Sequence, residues 1–190
     1  VGLLALDPAT REIEHLLTEI DGVPLRCINN AAVAPDGTIY VSDSSRHYSV
    51  EDWKLDLVAH TQSGRLLRRS PDGHVTTLLD GLAFANGVAL TADGEQIWVA
   101  ETALSRIRRL TVDGGELPAI NGLPGYPDNI ALGSDGLIWV ALAAPPDRTL
   151  GFLQGPGARL RQVALRIPDS LLPKPKRTVR VAAYDAGGRQ

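Results

Sequence analysis

A formal charge of −3 over 190 residues offers no basic stripe to a phosphate backbone, which excludes nucleic acid as a partner. Hydrophobic residues at 44% and charged residues at 22% belong to a folded globular domain, and no apolar run nears the roughly 20 residues of a bilayer span. A single cysteine, Cys27, excludes an internal disulfide framework. The sequence begins at Val1 and contains no Met, so the expectation is an internal stretch of a longer protein. The compartment is left open, with the cytoplasm favoured, and no oligomeric state is legible.

In chain order, strands are expected from Gly2 to Asp7 and from Ile13 to Glu19, an outer pair in a partial unit over residues 1–28. A hairpin follows at Asp36-Gly37, feeding Ile39-Tyr40-Val41. Asp-Gly between apolar runs marks a tight turn because Gly tolerates positive φ. An insertion over residues 46–62 carries a helical pattern from Val50 to Ala59, and a further pair, Gly64–Arg69 and Val75–Leu79, turns at Asp72-Gly73. The same grammar recurs at Asp93-Gly94 before Ile97-Trp98-Val99, with outer strands around Arg106–Leu110 turning near Asp113-Gly114, and at Asp135-Gly136 before Ile138-Trp139-Val140. A second insertion over about 143–178 includes a helix expected from Ala158 to Leu172, interrupted at Pro168, and a strand from Arg180 to Asp185 closes the chain.

The hairpin aspartates are spaced by 57 and 42 residues, the period of a four-stranded propeller blade. The expected fold is all-β, a β-propeller with about three to four blades present: residues 1–28, 29–85, 86–127 and 128–190. Both insertions follow the second strand of a blade and are expected over the pocket mouth. Tyr40, Trp98 and Trp139 recur at positions that pack between sheets, and the arginines of the outer strands are expected on an exposed face.

Seven residues before each hairpin aspartate stand Asn29, Asn86 and Asp128. Equivalent slots at the start of innermost strands converge on a propeller axis, so two amide oxygens and a carboxylate outline a site for a hard cation. Calcium, which takes 6 to 8 oxygen ligands, is the expected ion. Asp128 is also the candidate base. Asp43, Ser44, Glu101, Asn129 and His47 are candidates for the substrate pocket, and the expected partner is a small-molecule substrate. Cys27 is expected as a buried thiol.

The runs Asn29-Asn30, Asp36-Gly37-Thr38-Ile39-Tyr40-Val41-Ser42-Asp43-Ser44-Ser45, Phe84-Ala85-Asn86-Gly87-Val88 and Leu123-Pro124-Gly125-Tyr126-Pro127-Asp128-Asn129-Ile130 resemble the strictosidine synthase-like family. The resemblance implies a six-bladed propeller related to gluconolactonases and paraoxonases. In metal-dependent relatives a first-blade glutamate, two asparagines and an aspartate hold a divalent ion, and Asn29, Asn86 and Asp128 match the last three. The glutamate has no counterpart here, and Asn30 stands where relatives usually have Asp. The plant synthases condense without a metal, using a late-blade glutamate that this chain lacks, and they also carry a cysteine pair that a single Cys27 cannot supply. The leading expectation is therefore a metal-dependent hydrolase of lactones or related esters. The alternatives are a metal-free condensing or lyase enzyme and a non-catalytic binding propeller.

Overall fold

The computed structural model describes residues 1–167 and 178–190. The chain opens with β1 (Leu3–Leu6) and β2 (Ile13–Leu17), an antiparallel pair, then the short hairpin β3 (Glu19–Ile20) and β4 (Val23–Pro24). A four-stranded sheet follows in the order β5 (Ile28–Val33), β6 (Ile39–Asp43), β7 (Gly64–Arg69), β8 (Val75–Leu82). The next is β9 (Ala85–Leu90), β10 (Gln96–Glu101), β11 (Arg106–Thr111), β12 (Glu116–Ile120). A third sheet pairs β13 (Pro127–Leu132), β14 (Ile138–Leu142) and β15 (Arg180–Tyr184). Every pairing is antiparallel between sequential neighbours, the up-and-down order of propeller blades.

The Asp-Gly turns form for the reason the sequence suggests. Gly37, Gly94 and Gly136 take φ of 88°, 71° and 79°, and the preceding carboxylates accept backbone N–H bonds from Thr38 (2.9 Å), Glu95 (3.0 Å) and Leu137 (3.1 Å). Hydrogen bonding to the ionised form favours it. Asp36 and Asp135 are accordingly held below the usual carboxylate range chiefly by these backbone bonds, and Asp93 chiefly by the Thr91 hydroxyl.

Strand periodicity sends alternate residues into two different cores. Val41 and Leu67 face β1–β4 with Leu17 and Leu25, while Tyr40 and Leu66 face the middle sheet with Val88, Ile97, Val99 and Leu110. On the far side of the middle sheet, Trp98, Ala100 and Ile107 pack with Ile138, Val140, Leu142 and Tyr184. The sheets thus stack face to face, and the inner strands β5, β9 and β13 pack in sequence. Gly87 makes that approach possible: a Cβ there would lie 2.6 Å from the Asp128 carbonyl oxygen.

Trp98 is fully buried beside the Tyr184 ring and beneath the Arg109 guanidinium, 4.9 Å from the indole centroid. Trp139, at the equivalent position, is instead 43% exposed, its indole N–H on the Asp135 carboxylate. The expected core contact at Trp139 is therefore not made among the described residues. No helix among the described residues is long and apolar enough to cross a membrane.

Both insertions leave from the ends of second strands, β6 and β14. The first carries α1 (Trp53–Ala59), three residues shorter at its start than expected. The second carries α2 (Arg148–Gln154), a 3₁₀ turn at Ala158–Leu160 and α3 (Arg161–Ala164). The expected helix thus starts as a 3₁₀ turn at Ala158 and its α-helical part ends at Ala164, while Pro168 and Leu172 lie outside the described residues. α2 was not expected; Asp147 caps it by accepting the Leu150 N–H at 2.8 Å.

Candidate functional site

Asn29, Asn86 and Asp128 are each the second residue of an inner strand, β5, β9 and β13. The register that equates them is visible in three backbone bonds: Ser44 N–H to Cys27 C=O, Thr102 N–H to Phe84 C=O and Ala143 N–H to Tyr126 C=O. Asn29 is exposed, and its amide donates to Ser44 Oγ at 3.0 Å. Asn86 is 5% exposed; its amide donates to Thr102 Oγ1 at 3.2 Å, while its Oδ1 is buried with no protein partner. Asp128 is half-buried, and among the described residues no hydrogen bond or ion pair engages its carboxylate. Two amide oxygens and a carboxylate are hard oxygen donors of the kind that calcium takes. Among the described residues no three His, Cys, Asp or Glu side chains cluster as a metal group, so any cation here depends on the amides.

Phe84 is buried and adopts φ of 65°, a left-handed conformation unfavourable for a bulky side chain, two residues before Asn86. Cys27, its counterpart, is buried, and desolvation pushes its thiol up to about 11, which leaves it un-ionised at neutral pH.

Asp43 and Glu101 occupy equivalent places, and both are occupied structurally. Arg65 donates twice to Asp43 Oδ2, at 2.6 and 3.1 Å, leaving the buried Oδ1 without a partner. Glu101 is fully buried, bonded to Arg106 through one oxygen and to the Ala83 N–H at 2.8 Å through the other. Arg65 and Arg106 therefore point back to second-strand carboxylates rather than lying on a merely exposed face; their strand partners are Asp43 and Glu101. Burial dominates at Asp43 and raises its pKa against the opposing pull of Arg65.

Ser44 is buried, accepting from Asn29 and donating to Ala85 C=O at 2.5 Å. Asn129 is exposed and accepts from the Asn30 amide at 3.3 Å, while Asn30 Oδ1 takes the Val88 N–H at 3.1 Å. Asn30 thus ties all three inner strands together, a role that its place in the sequence does not announce. His47 is exposed at the start of the first insertion, its backbone N–H on Ser45 Oγ.

The two insertions meet. Leu57 of α1 and Leu150 of α2 pack with Ala83, Phe84 and Ala103, and the Gln154 side chain donates to Leu57 C=O at 3.0 Å. Buried Asp56 anchors α1 from below by accepting the Ser45 and Thr61 hydroxyls, each at 2.6 Å. The Tyr126 hydroxyl accepts the Asp147 N–H at 2.8 Å and anchors the second insertion. Together they roof the end of the middle sheet, close in sequence to Asn86.

Known proteins resemble this chain in sequence and in fold. Residues 29–114 match the strictosidine synthase family. Over that stretch the chain is strictosidine synthase-like in sequence, and its likeness to gluconolactonase structures is one of β-propeller fold. Protein STRICTOSIDINE SYNTHASE-LIKE 6 of Arabidopsis thaliana is 36% identical over 74% of this chain and 38% of its own length. The adipocyte plasma membrane-associated protein of Salmo salar is 37% identical over 76% of the chain and 37% of its length. The chain thus spans well under half of these relatives. Among solved structures, the gluconolactonase XC5397 of Xanthomonas campestris aligns over 99% of this chain and 53% of its own, with a TM-score of 0.62 at 18% identity. The calcium-binding protein regucalcin of Agrobacterium tumefaciens aligns over 74% of this chain and 47% of its own, with a TM-score of 0.56 at 22% identity.

Proposed function

We propose that this chain supplies a large part of the pocket face of a divalent-metal-dependent hydrolase of lactones or related esters. The observation that carries the reading is the buried, unpartnered Oδ1 of Asn86, with its amide nitrogen already committed, at the strand position shared with Asn29 and Asp128. These three residues would hold the ion, most simply calcium, which supplies a Lewis acid for an ester carbonyl and a site for water.

Asn29 and Asn86 offer neutral oxygens and keep the charge of the set low. Asp128 is the one carboxylate in it and would accept the proton of an attacking water at a carboxylate oxygen. The roof of α1 and α2 shields the end of the middle sheet from bulk water, which strengthens charge interactions beneath it. Asp43 and Glu101, both bound to arginines, serve the scaffold, leaving His47 and Asn129 as the exposed groups that can meet a substrate. Gluconolactonase and calcium-binding proteins, by their names, are built on this same fold.

The test is a calcium titration of the full-length protein by thermal shift, followed by turnover of a lactone and aryl-ester panel with and without chelator. The proposal expects calcium to raise Tm, chelator to abolish turnover, and Asp128→Ala and Asn86→Ala to lose both responses. A metal-free condensing or lyase enzyme predicts no response to calcium or manganese, and that result would overturn the hydrolase reading. Stabilisation by the ion without turnover of any ester would leave a binding propeller.

A further inference from the structure

Asn29 and Asn86 are held by the same device, built twice. The Asn29 amide donates to Ser44 Oγ at 3.0 Å, and Ser44 donates onward to Ala85 C=O at 2.5 Å. The Asn86 amide donates to Thr102 Oγ1 at 3.2 Å, and Thr102 donates onward to Pro127 C=O at 2.7 Å. Ala85 and Pro127 immediately precede Asn86 and Asp128, so each hydroxyl links one polar slot to the backbone that presents the next.

The chemistry fixes the direction of both relays. A carbonyl can only accept, so each hydroxyl must spend its single proton on it and has only lone pairs left for the asparagine. Only Nδ2 can satisfy those lone pairs, so Oδ1 becomes the free end of each amide. A reversed amide would set oxygen against oxygen at the hydroxyl and offer N–H groups to a cation. The third sheet provides an internal control: Ala143 takes the place of Ser44 and Thr102 in the backbone register and has no hydroxyl. The slot it accompanies is Asp128, whose two equivalent oxygens need no orienting.

We propose that Ser44 and Thr102 are positioning residues that turn the Asn29 and Asn86 amides oxygen-outward and so set the affinity of the three slots for a divalent cation. The proposal rests on the cation site of the preceding section. It assigns the buried hydroxyls to ligand orientation rather than to contact with substrate.

The experiment measures calcium affinity by titration calorimetry, and ion-free Tm by scanning calorimetry, on the full-length protein and its Thr102→Val, Thr102→Ser, Ser44→Ala and Asn86→Ala variants. Loss of a group that orients a ligand typically weakens metal binding about 10–100-fold. Thr102→Val is expected to fall in that range, and Thr102→Ser, which keeps the hydroxyl, to stay within about threefold of the parent. Ser44→Ala is expected to lose less, because exposed Asn29 can recruit water, and its loss of affinity becomes the deciding measurement if Thr102→Val does not fold. If Thr102→Val binds calcium as the parent does while Asn86→Ala does not, the positioning role is overturned and the cation site stands. If the parent itself binds no calcium, the cation site fails, and the positioning role with it.

Discussion

The first and middle sheets carry the same charge pair at the same strand position, one methylene apart, with different results. In the middle sheet Glu101 reaches from Arg106 to the Ala83 N–H and satisfies both oxygens. In the first sheet the shorter Asp43 stops at Arg65, its Oδ1 buried without a partner. A cavity of about 190 Å³ opens there, lined by Leu25, Arg26, Asp43, Arg46 and Arg65. At the equivalent position the third sheet has Leu142, opposite Arg180, in place of a carboxylate, and a cavity of about 240 Å³ lies there, against Pro124, Gly125, Leu142 and Arg180. Glu101 thus ties its arginine to the segment leading into the sheet, and the shorter Asp43 does not. The joint bridged by Glu101 is also the one beside the buried Asn86.

The largest effect should come from breaking the bridge where both carboxylate oxygens are engaged. Glu101→Gln leaves Arg106 without its anion beneath a buried site, and loss of one partner from such a pair costs about 3–5 kcal/mol. The lower end is expected, since the Arg106 side chain is 29% exposed. Urea unfolding measures it, and a loss below about 1 kcal/mol would show that the pair is not structural.

A smaller effect is expected in the roof over the same joint. His60, at the end of α1, is held below its ordinary value of 6.5 by burial and by Arg161 of α3, against the opposing pull of Asp56 and Glu101. The unfolded imidazole takes up a proton first as pH falls. Docking of α1 is therefore at full strength above pH 6.5, weakens as pH falls through 6.5 towards the folded value, and then levels off. Fluorescence of Trp53, which lies on α1, reports it, and His60→Asn should flatten the response. Asn suits the left-handed conformation of residue 60, with φ of 51°.

The smallest change should be a gain. Asp43→Glu extends the carboxylate towards the Arg26 N–H, the counterpart of Ala83, and one such bond contributes about 1 kcal/mol. Unchanged stability in urea would mean that the first joint is open for reasons other than reach.

The sheets were legible because Asp-Gly turns and period-2 apolar strands are local signals, and the shared position of Asn29, Asn86 and Asp128 followed from counting back from those turns. The partners of the site residues were not. Arg65 meets Asp43, and Arg106 meets Glu101, through strand register, which the sequence carries only weakly. Ser44 and Thr102 do stand at nearly constant offsets after Asn29 and Asn86, so a signal existed, but reading it needs the blade-to-blade contacts with Ala85 and Pro127. The hairpin at Asp21-Gly22 and helix α2 were missed although Asp-Gly and the Asp147 cap mark them. Trp139 was misplaced because burial at its position is supplied by a neighbouring sheet, which local pattern does not report.

The most direct test of the cation site is a crystal structure of the full-length protein grown in calcium, with the anomalous signal mapped near the inner strands. The expected result is one peak about 2.3–2.6 Å from Asn29 Oδ1, Asn86 Oδ1 and an Asp128 carboxylate oxygen, with both amide nitrogens still on Ser44 and Thr102. No peak between those residues at saturating calcium would contradict it.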